Sequence, residues 1–232
     1  QQFHVKQSLV ISFWSQANSF VGSRHVYKSL RRTMASFSDF MPRQAHIINI
    51  TKHIKFLKDF RSKTMEFEDK NLSKAQRFDK KYLLAVIDEQ LFSLEWARLP
   101  FTNPVYYEAI GPDVYLSREY ASIEKRMKVY SVYANNVPVA VEQIIENMET
   151  PLPRTFAKVG KQISHGLAAH MKNGVPGIFS SVDDTTLQSE FSIANGIATA
   201  AMKKLGDWYE FQIEKATDDF ALGEELYKKM LW

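Results

Sequence analysis

Apolar residues recur at helical spacing along most of this chain, and the clearest run begins at Tyr120. The positions on this stripe, which lie on one face of an α-helix, are Tyr120, Ile123, Met127, Tyr130 and Ala134. The pair Asn135-Asn136 predicts the end of this helix, because asparagine favours turns. Pro138 suits the first turn of a following helix, where a backbone N–H has no partner to lose. That second helix, whose stripe runs from Val141 to Met148, is predicted to end at Thr150-Pro151-Leu152-Pro153.

Two more long helices follow from the same spacing. One covers residues 154–172 and is predicted to end at Asn173-Gly174, a pair that suits a left-handed helix stop. The other begins from a cap at Asp183 or Asp184 and runs to about Ala216. It is the longest in the chain and would span roughly 50 Å at the usual rise per residue.

The helical period also appears upstream, in residues 39–60 and 73–99, and again close to the end of the chain. There Leu222-Gly223 interrupts a helical run, and a short amphipathic helix is predicted from Glu224. Alternating strand patterns are scarce, and only nine glycines and eight prolines punctuate the sequence. The predicted fold class is therefore all-α, a bundle of long antiparallel helices with short loops.

Composition excludes several classes of protein. No apolar run approaches the roughly 20 residues of a membrane span. The sequence has no cysteine, which excludes disulfides, thiolate nucleophiles and thiolate zinc sites. Residues 1–100 hold 17 Lys and Arg against 9 Asp and Glu, whereas residues 101–232 hold 13 against 17. The basic half favours either a polyanion or an acidic neighbour within the same molecule.

A basic helical ridge formed by Arg24, Lys28, Arg31 and Arg32 is the main feature that would favour nucleic acid as a partner. The same ridge is typical of an ordinary solvated helix face. Because no nucleic-acid-binding motif accompanies it, nucleic acid is the least favoured partner.

Motifs for catalysis are missing from the sequence. None of the six histidines is followed by glutamate, so the His-Glu-x-x-His zinc pattern does not occur. His165 and His170 are five residues apart, which rotates them by about 140° around a helix, and His46 and His53 are separated by two turns. We therefore interpret these histidines as surface or capping residues. No catalytic, cofactor-binding or metal-ligating residue is predicted.

Three stretches carry a resemblance to a known family. They are Asn103-Pro104-Val105-Tyr106-Tyr107, then ASIEKRMKVYSVYANNVPVAVEQIIENMETPLPRTF at residues 121–156, and DFALGEELYKKML at residues 219–231. In this order and spacing they resemble the N-terminal half of the bacterial DUF885 family, a domain of unknown function. The resemblance covers roughly residues 40–232.

The resemblance implies a large, mostly helical metallohydrolase, similar in plan to zinc metallopeptidases with a deep cleft between helical lobes. The family's zinc signature, H-E-x-x-P-G-H, lies in its C-terminal half and has no match here. We therefore expect residues 1–232 to form one helical domain that stops before the catalytic half. Within it, residues 1–38 form divergent N-terminal helices and residues 39–232 form the DUF885-like lobe. Zinc is expected only in the missing half.

The leading hypothesis is a non-catalytic helical lobe of a zinc-dependent hydrolase of peptide or amide bonds, which shapes the substrate cleft. The alternative is a free-standing helical protein-interaction module without catalytic activity. The expected partner is the missing C-terminal half, and a homo-oligomer is a further candidate. Candidate interface residues lie in the closing segment: Leu222, Gly223, Tyr227 and Trp232. The compartment stays open between the cytoplasm and the periplasm or cell envelope.

Overall fold

The computed structural model describes residues 47–231, which form an all-helical fold. Its longer helices are α1 (Ile47–Met65), α2 (Lys74–Leu91), α3 (Ile123–Asn147), α4 (Arg154–Asn173), α5 (Thr185–Glu214) and α6 (Gly223–Met230). Shorter pieces connect them: single α-helical turns at Leu99–Thr102, Asp113–Leu116 and Val175–Ile178, 3₁₀ turns at Asp69–Asn71 and Pro104–Ile110, and a π-helical turn at Phe92–Trp96. Among these residues the only β-type pairing is an isolated bridge between Pro153 and Thr217. The all-α prediction is confirmed.

Helices α3, α4 and α5 form a bundle in which α5 packs against both α3 and α4, and the main hydrophobic core lies among them. Short loops join them in sequence, so neighbours along the chain run antiparallel, and α3 and α5 are consequently parallel. Cross-helix contacts agree with this arrangement: Lys161 on α4 meets Glu210 on α5, and Lys204 on α5 meets Glu142 on α3. Between them α3, α4 and α5 bury most of the predicted apolar stripe, including Met127, Tyr130 and Ala134. Tyr120, its first predicted member, lies before α3 and is 51% exposed.

Aromatic rings fill the core at the end of the bundle where α3 begins. Tyr130 is fully buried, and its ring centroid lies 5.7 Å from those of Phe179 and Phe191. Its hydroxyl donates to Oδ1 of Asn195 on α5 at 2.6 Å, and Nδ2 of Asn195 donates to the Met171 carbonyl at 2.8 Å. One polar chain therefore joins all three helices of the bundle, with its buried polar atoms paired.

The predicted break at Asn135-Asn136 is wrong, because α3 continues through both residues and through Pro138. Pro138 lies on the partly exposed flank of the helix, whereas Val137 and Val141 are each 1% exposed. A proline inside a helix costs about 3 kcal/mol, but each buried valine or isoleucine contributes about 1.5–3 kcal/mol. Burial on both sides of the proline outweighs the missing hydrogen bond, so the helix does not end there.

The end of α4 also differs from the prediction. The helix stops at Asn173 as expected, but Gly174 has φ −96° and ψ −46°, which is right-handed rather than left-handed. A single helical turn with buried Val175 follows it directly. A Cβ at this position would lie 2.7 Å from Nδ1 of the exposed His170 side chain, which would have to turn away. The predicted cap of α5 is confirmed for Asp184, which accepts a hydrogen bond from the Leu187 N–H at 3.0 Å.

A second, smaller cluster lies between α1 and α2. Its buried members are Ile50, Leu57, Leu83, Ile87, Leu91 and Leu94. Ser73 caps α2 through a capping box with Gln76, which marks the predicted helix start. The predicted run to Leu99 is interrupted, because the π-helical turn ends at Trp96 and Arg98 is left-handed with φ 51°. The predicted start of the first helix at residue 39, and residues 1–38, lie outside the described residues.

The segment that contains Asn103-Pro104-Val105-Tyr106-Tyr107 connects the two clusters. The Tyr107 hydroxyl donates to the Pro100 carbonyl at 2.7 Å and accepts from Nδ2 of Asn147 at 3.0 Å. The Glu149 N–H donates to the Phe101 carbonyl at 2.9 Å. These bonds attach the segment after α2 to the C-terminal end of α3. The last helix, α6, contacts the π-helical turn, which contributes Leu94 to the smaller cluster.

Candidate interaction surface

Helix α6 begins one residue before the predicted position. Gly223 has φ +77°, a conformation that glycine adopts without a steric penalty, and it redirects the chain into the helix. Glu224 and Glu225 occupy the first turn, and Lys228 and Lys229 occupy the last. Both pairs complement the helix dipole. The predicted short amphipathic helix is therefore confirmed.

The chain just before α6 is attached to the start of α4 through one arginine. The Arg154 guanidinium donates to Asp218 Oδ1 at 3.1 Å, to the Ile213 carbonyl at 3.0 Å and to the Ala216 carbonyl at 3.3 Å. The Thr217 N–H also donates to the Leu152 carbonyl at 3.0 Å. These contacts hold the polypeptide close to the bundle as far as Asp218.

Beyond Asp218 the chain leaves the start of α4 and contacts a different part of the molecule. Helix α6 contacts the π-helical turn, where the Lys229 Nζ atom lies 2.9 Å from the centroid of the Trp96 ring. A cation over an indole face is worth about 0.5–1 kcal/mol at an exposed site. Trp96 itself is 47% exposed. The cation–π contact therefore positions α6 without burying its apolar side chains.

Six apolar side chains remain exposed in this region, and we call them the terminal apolar surface. They are Trp96, Phe220, Leu222, Tyr227, Met230 and Leu231, with exposed fractions between 38% and 63%. Tyr227 and Met230 are three residues apart and share one side of α6, and Leu231 follows directly after the helix. Apolar side chains grouped in this way mark interaction sites more often than isolated ones do.

The predicted interface residues lie in different parts of this region. Leu222 and Tyr227 belong to the terminal apolar surface, Gly223 provides the turn into α6, and Trp232 lies outside the described residues. Trp96 and Lys229, which complete the arrangement, were not among the predicted residues. No spacing rule could have found this pair, because its members are far apart in the sequence and meet only through the fold.

A separate group of side chains could hold a metal ion. His165 on α4 and Asp207 and Glu210 on α5 bring potential ligand atoms within 4.8 Å of one another. His165 Nε2 lies 3.1 Å from Asp207 Oδ1. A hydrogen bond from Lys203, together with charges on Lys203 and His165, lowers the pKa of Asp207 below its usual value. Residue spacing along a single helix does not reveal this group, because its members lie on two different helices.

The surface-or-capping interpretation of the histidines also needs correction at His53. This residue is half-buried between α1 and α2, where its Nε2 atom lies 3.3 Å from Oε1 of Gln90. His170 is exposed, as expected. His46 lies outside the described residues.

One protein family matches most of this chain. The family described as "Bacterial protein of unknown function (DUF885)" matches residues 41–232. The chain belongs to the DUF885 family. This DUF885 match includes all three stretches that carry the resemblance in the sequence. No curated protein matches the chain.

One solved structure is similar to this DUF885 chain in fold. It is described as "a putative lipoprotein of unknown function from Shewanella oneidensis", with a TM-score of 0.71 and 16% sequence identity. The similarity covers 79% of this chain and 35% of the Shewanella chain. The DUF885 chain therefore spans about a third of the length of that structure. Among the residues that the structure describes, every helix is too short or too polar to cross a membrane.

Proposed function

We propose that this chain is the N-terminal helical lobe of a larger DUF885 protein, and that its terminal apolar surface packs against the rest of that protein. The observation that carries the proposal is the exposure of Tyr227 on α6 and of Leu231 directly after it, at 52% and 62%. Helix α6 contacts the rest of the chain through Lys229, which lies over the Trp96 ring. The similar Shewanella structure supports the proposal, because only 35% of that longer chain aligns with this one.

The physical reason for such packing is the apolar area that α6 leaves in water. Burying a large apolar side chain is worth about 1.5–3 kcal/mol. Covering the remaining exposed area of Phe220, Tyr227 and Leu231 would therefore stabilise the complex by several kcal/mol, on the order of one hydrophobic anchor cluster. The last turn also presents Lys228 and Lys229, which favour an acidic neighbour at the rim.

We further propose that the complete protein is a zinc-dependent hydrolase of peptide or amide bonds, with this lobe as a wall of the substrate cleft. The resemblance to the metallohydrolase plan supports this proposal. Residues of this chain do not fit the family's zinc signature, since no histidine precedes a glutamate. We therefore assign the lobe to substrate selection and exclusion of water, and assign no catalytic step to it.

A substitution in α6 tests the docking proposal. Tyr227→Asp introduces a charge into the terminal apolar surface, and Tyr120→Asp is the matched control because Tyr120 is exposed to a similar extent, 51% against 52%. In the isolated chain both variants should shift the thermal midpoint by about 2 °C or less. In the full-length protein Tyr227→Asp should lower the midpoint by about 5 °C or more, because it would bury an unpaired charge.

Two outcomes would contradict the proposal. An equal loss of stability in the isolated chain and in the full-length protein would assign Tyr227 to the core of this lobe. Stability unchanged in both, together with concentration-dependent dimers of the isolated chain in light scattering, would favour a free-standing module that pairs with a second copy. Peptide hydrolysis by the full-length protein, measured with and without a zinc chelator, tests the hydrolase proposal. Absence of hydrolysis, or hydrolysis that the chelator does not reduce, would contradict it.

A further inference from the structure

Three side chains on the outer face of the α4–α5 pair carry an inference of their own. Asp207 and Glu210 are three residues apart on α5 and so point to the same side of that helix. His165 faces them from α4, and the ligand atoms of all three lie within 4.8 Å of one another. We infer that His165, Asp207 and Glu210 form a surface site for a divalent cation of the zinc class.

The chemistry of the ligands favours this class of cation. One imidazole nitrogen and two carboxylate oxygens suit Zn²⁺ and its neighbours in the transition series, whereas Mg²⁺ and Ca²⁺ prefer oxygen ligands alone. Ligand atoms around a tetrahedral zinc ion are roughly 3.3 Å apart, given bonds of about 2.0 Å. The His165 Nε2 to Asp207 Oδ1 distance of 3.1 Å already meets that requirement. Glu210, which is more than half exposed, can reach the same ion by a change of rotamer.

The backbone beneath the site holds His165 in place. The imidazole lies directly on the backbone of Gly206, where an added Cβ would be 1.8 Å from Cδ2 of the ring. Gly160, which precedes His165 on α4, allows a similar close approach, since a Cβ there would lie 2.9 Å from the ring of Tyr209. These two close contacts hold α4 and α5 side by side. A cation would therefore bind to ligands on two helices that are already fixed, with little ordering cost.

Two lysines compete for the carboxylates. Lys161 Nζ lies 2.6 Å from Glu210 Oε1, and Lys203 Nζ lies 2.6 Å from Asp207 Oδ2. Both pairs are exposed, and exposed ion pairs contribute little to stability. Each ammonium group can turn into solvent on its flexible stem when a dication takes its place. Competition of this kind makes the site weaker than an isolated ligand set, and removal of the lysines should strengthen it.

Zinc titration of the purified 232-residue protein by calorimetry tests the site. We expect a His165-dependent binding step of one zinc per chain, and His165→Gln should weaken this step by about tenfold or more. His170→Gln is the matched control, because His170 lies on the same helix outside the cluster, and it should leave the step unchanged. The double variant Lys161→Ala/Lys203→Ala should bind zinc more tightly than the wild type. Co²⁺ absorption provides a second readout that reports nitrogen and carboxylate ligation directly.

Asp207→Asn and Glu210→Gln give an independent test in case His165→Gln does not fold, which circular dichroism would reveal. Each should weaken the same binding step. Equal zinc binding by the wild type and all three ligand variants would overturn the inference. So would a double lysine variant that binds no more tightly than the wild type, because the carboxylates would then not take part in binding. Histidines elsewhere in the chain would add steps that persist in His165→Gln and are thereby told apart.

Discussion

At the scale of single residues, the surroundings of each histidine decide what it can do. His53 and His165 look alike in the sequence, yet one lies between α1 and α2 and the other lies against two carboxylates. Burial lowers the pKa of His53, and its hydrogen bond with Gln90 opposes that effect only incompletely. His53 is therefore kept neutral in the folded protein at a pH where the unfolded chain already binds a proton.

This difference predicts a pH dependence of stability. The unfolded chain binds a proton at His53 near pH 6.5, whereas the folded protein binds it only at lower pH. The contribution of His53 is fully present above pH 6.5 and is lost as the pH falls toward the folded pKa. In urea unfolding, the free energy of unfolding should therefore rise between pH 5 and pH 7, and this rise should be smaller in His53→Gln. His170→Gln should keep the full rise. An undiminished rise in His53→Gln would assign the pH dependence to another group.

At the scale of elements, packing decides where helices continue. Helix α3 contains an Asn-Asn pair and a proline, both of which favour its interruption. The helix nevertheless runs for 25 residues, because Val137, Ala140 and Val141 are buried against its neighbours. Asn136 lies inside the helix as well, and its Nδ2 atom donates to the Val132 carbonyl one turn earlier at 2.7 Å. The proline is thus tolerated rather than required.

Removal of that proline should stabilise the protein. Pro138→Ala restores an N–H in the helix interior and should raise the free energy of unfolding by about 1–3 kcal/mol. Val139→Ala, at an exposed neighbouring position of α3, should change it by about 0.5 kcal/mol or less. Chemical denaturation of the three proteins provides the comparison. Destabilisation by Pro138→Ala would mean that the proline ring itself contributes to the packing of α3.

At the scale of the whole molecule, a short connecting segment couples two hydrophobic clusters of unequal size. The larger cluster surrounds α3, α4 and α5, and the smaller one lies between α1 and α2. Tyr107 lies where the two meet, with its hydroxyl bonded to Pro100 on one side and Asn147 on the other. Burial raises the pKa of Tyr107, so this hydroxyl stays protonated and acts as both donor and acceptor. Coupling of the two clusters depends on such bonds as well as on apolar contact.

Loss of the Tyr107 hydroxyl should loosen this connection. Tyr107→Phe should lower the free energy of unfolding by about 1–3 kcal/mol, since it removes the hydrogen bonds of Tyr107 to the buried Pro100 carbonyl and to Asn147. Amide hydrogen exchange should accelerate in α1 and α2 while protection in α3 and α5 is retained. Tyr106→Phe, one residue away, is the control. Uniform acceleration across all helices would instead indicate that the two clusters unfold as a single unit.

The sequence by itself determined the helical content, the approximate bounds of most helices and a cap of α5 at one of two aspartates. These features depend on neighbours three or four residues away, so periodicity and capping chemistry report them directly. The short helix from Gly223 was predictable for the same reason. The family relationship was likewise readable from local stretches of sequence, which the match over residues 41–232 confirms.

Only the tertiary structure decided the remaining features. It carried α3 through Pro138, because the burial that outweighs the proline comes from other helices. It also placed Lys229 over Trp96 and brought His165 to Asp207, pairs whose members lie far apart in the sequence. Contacts of this kind depend on how helices pack, and a local pattern contains no information about which distant residue will face it. The candidate interaction surface and the proposed cation site therefore both arise from packing rather than from any motif.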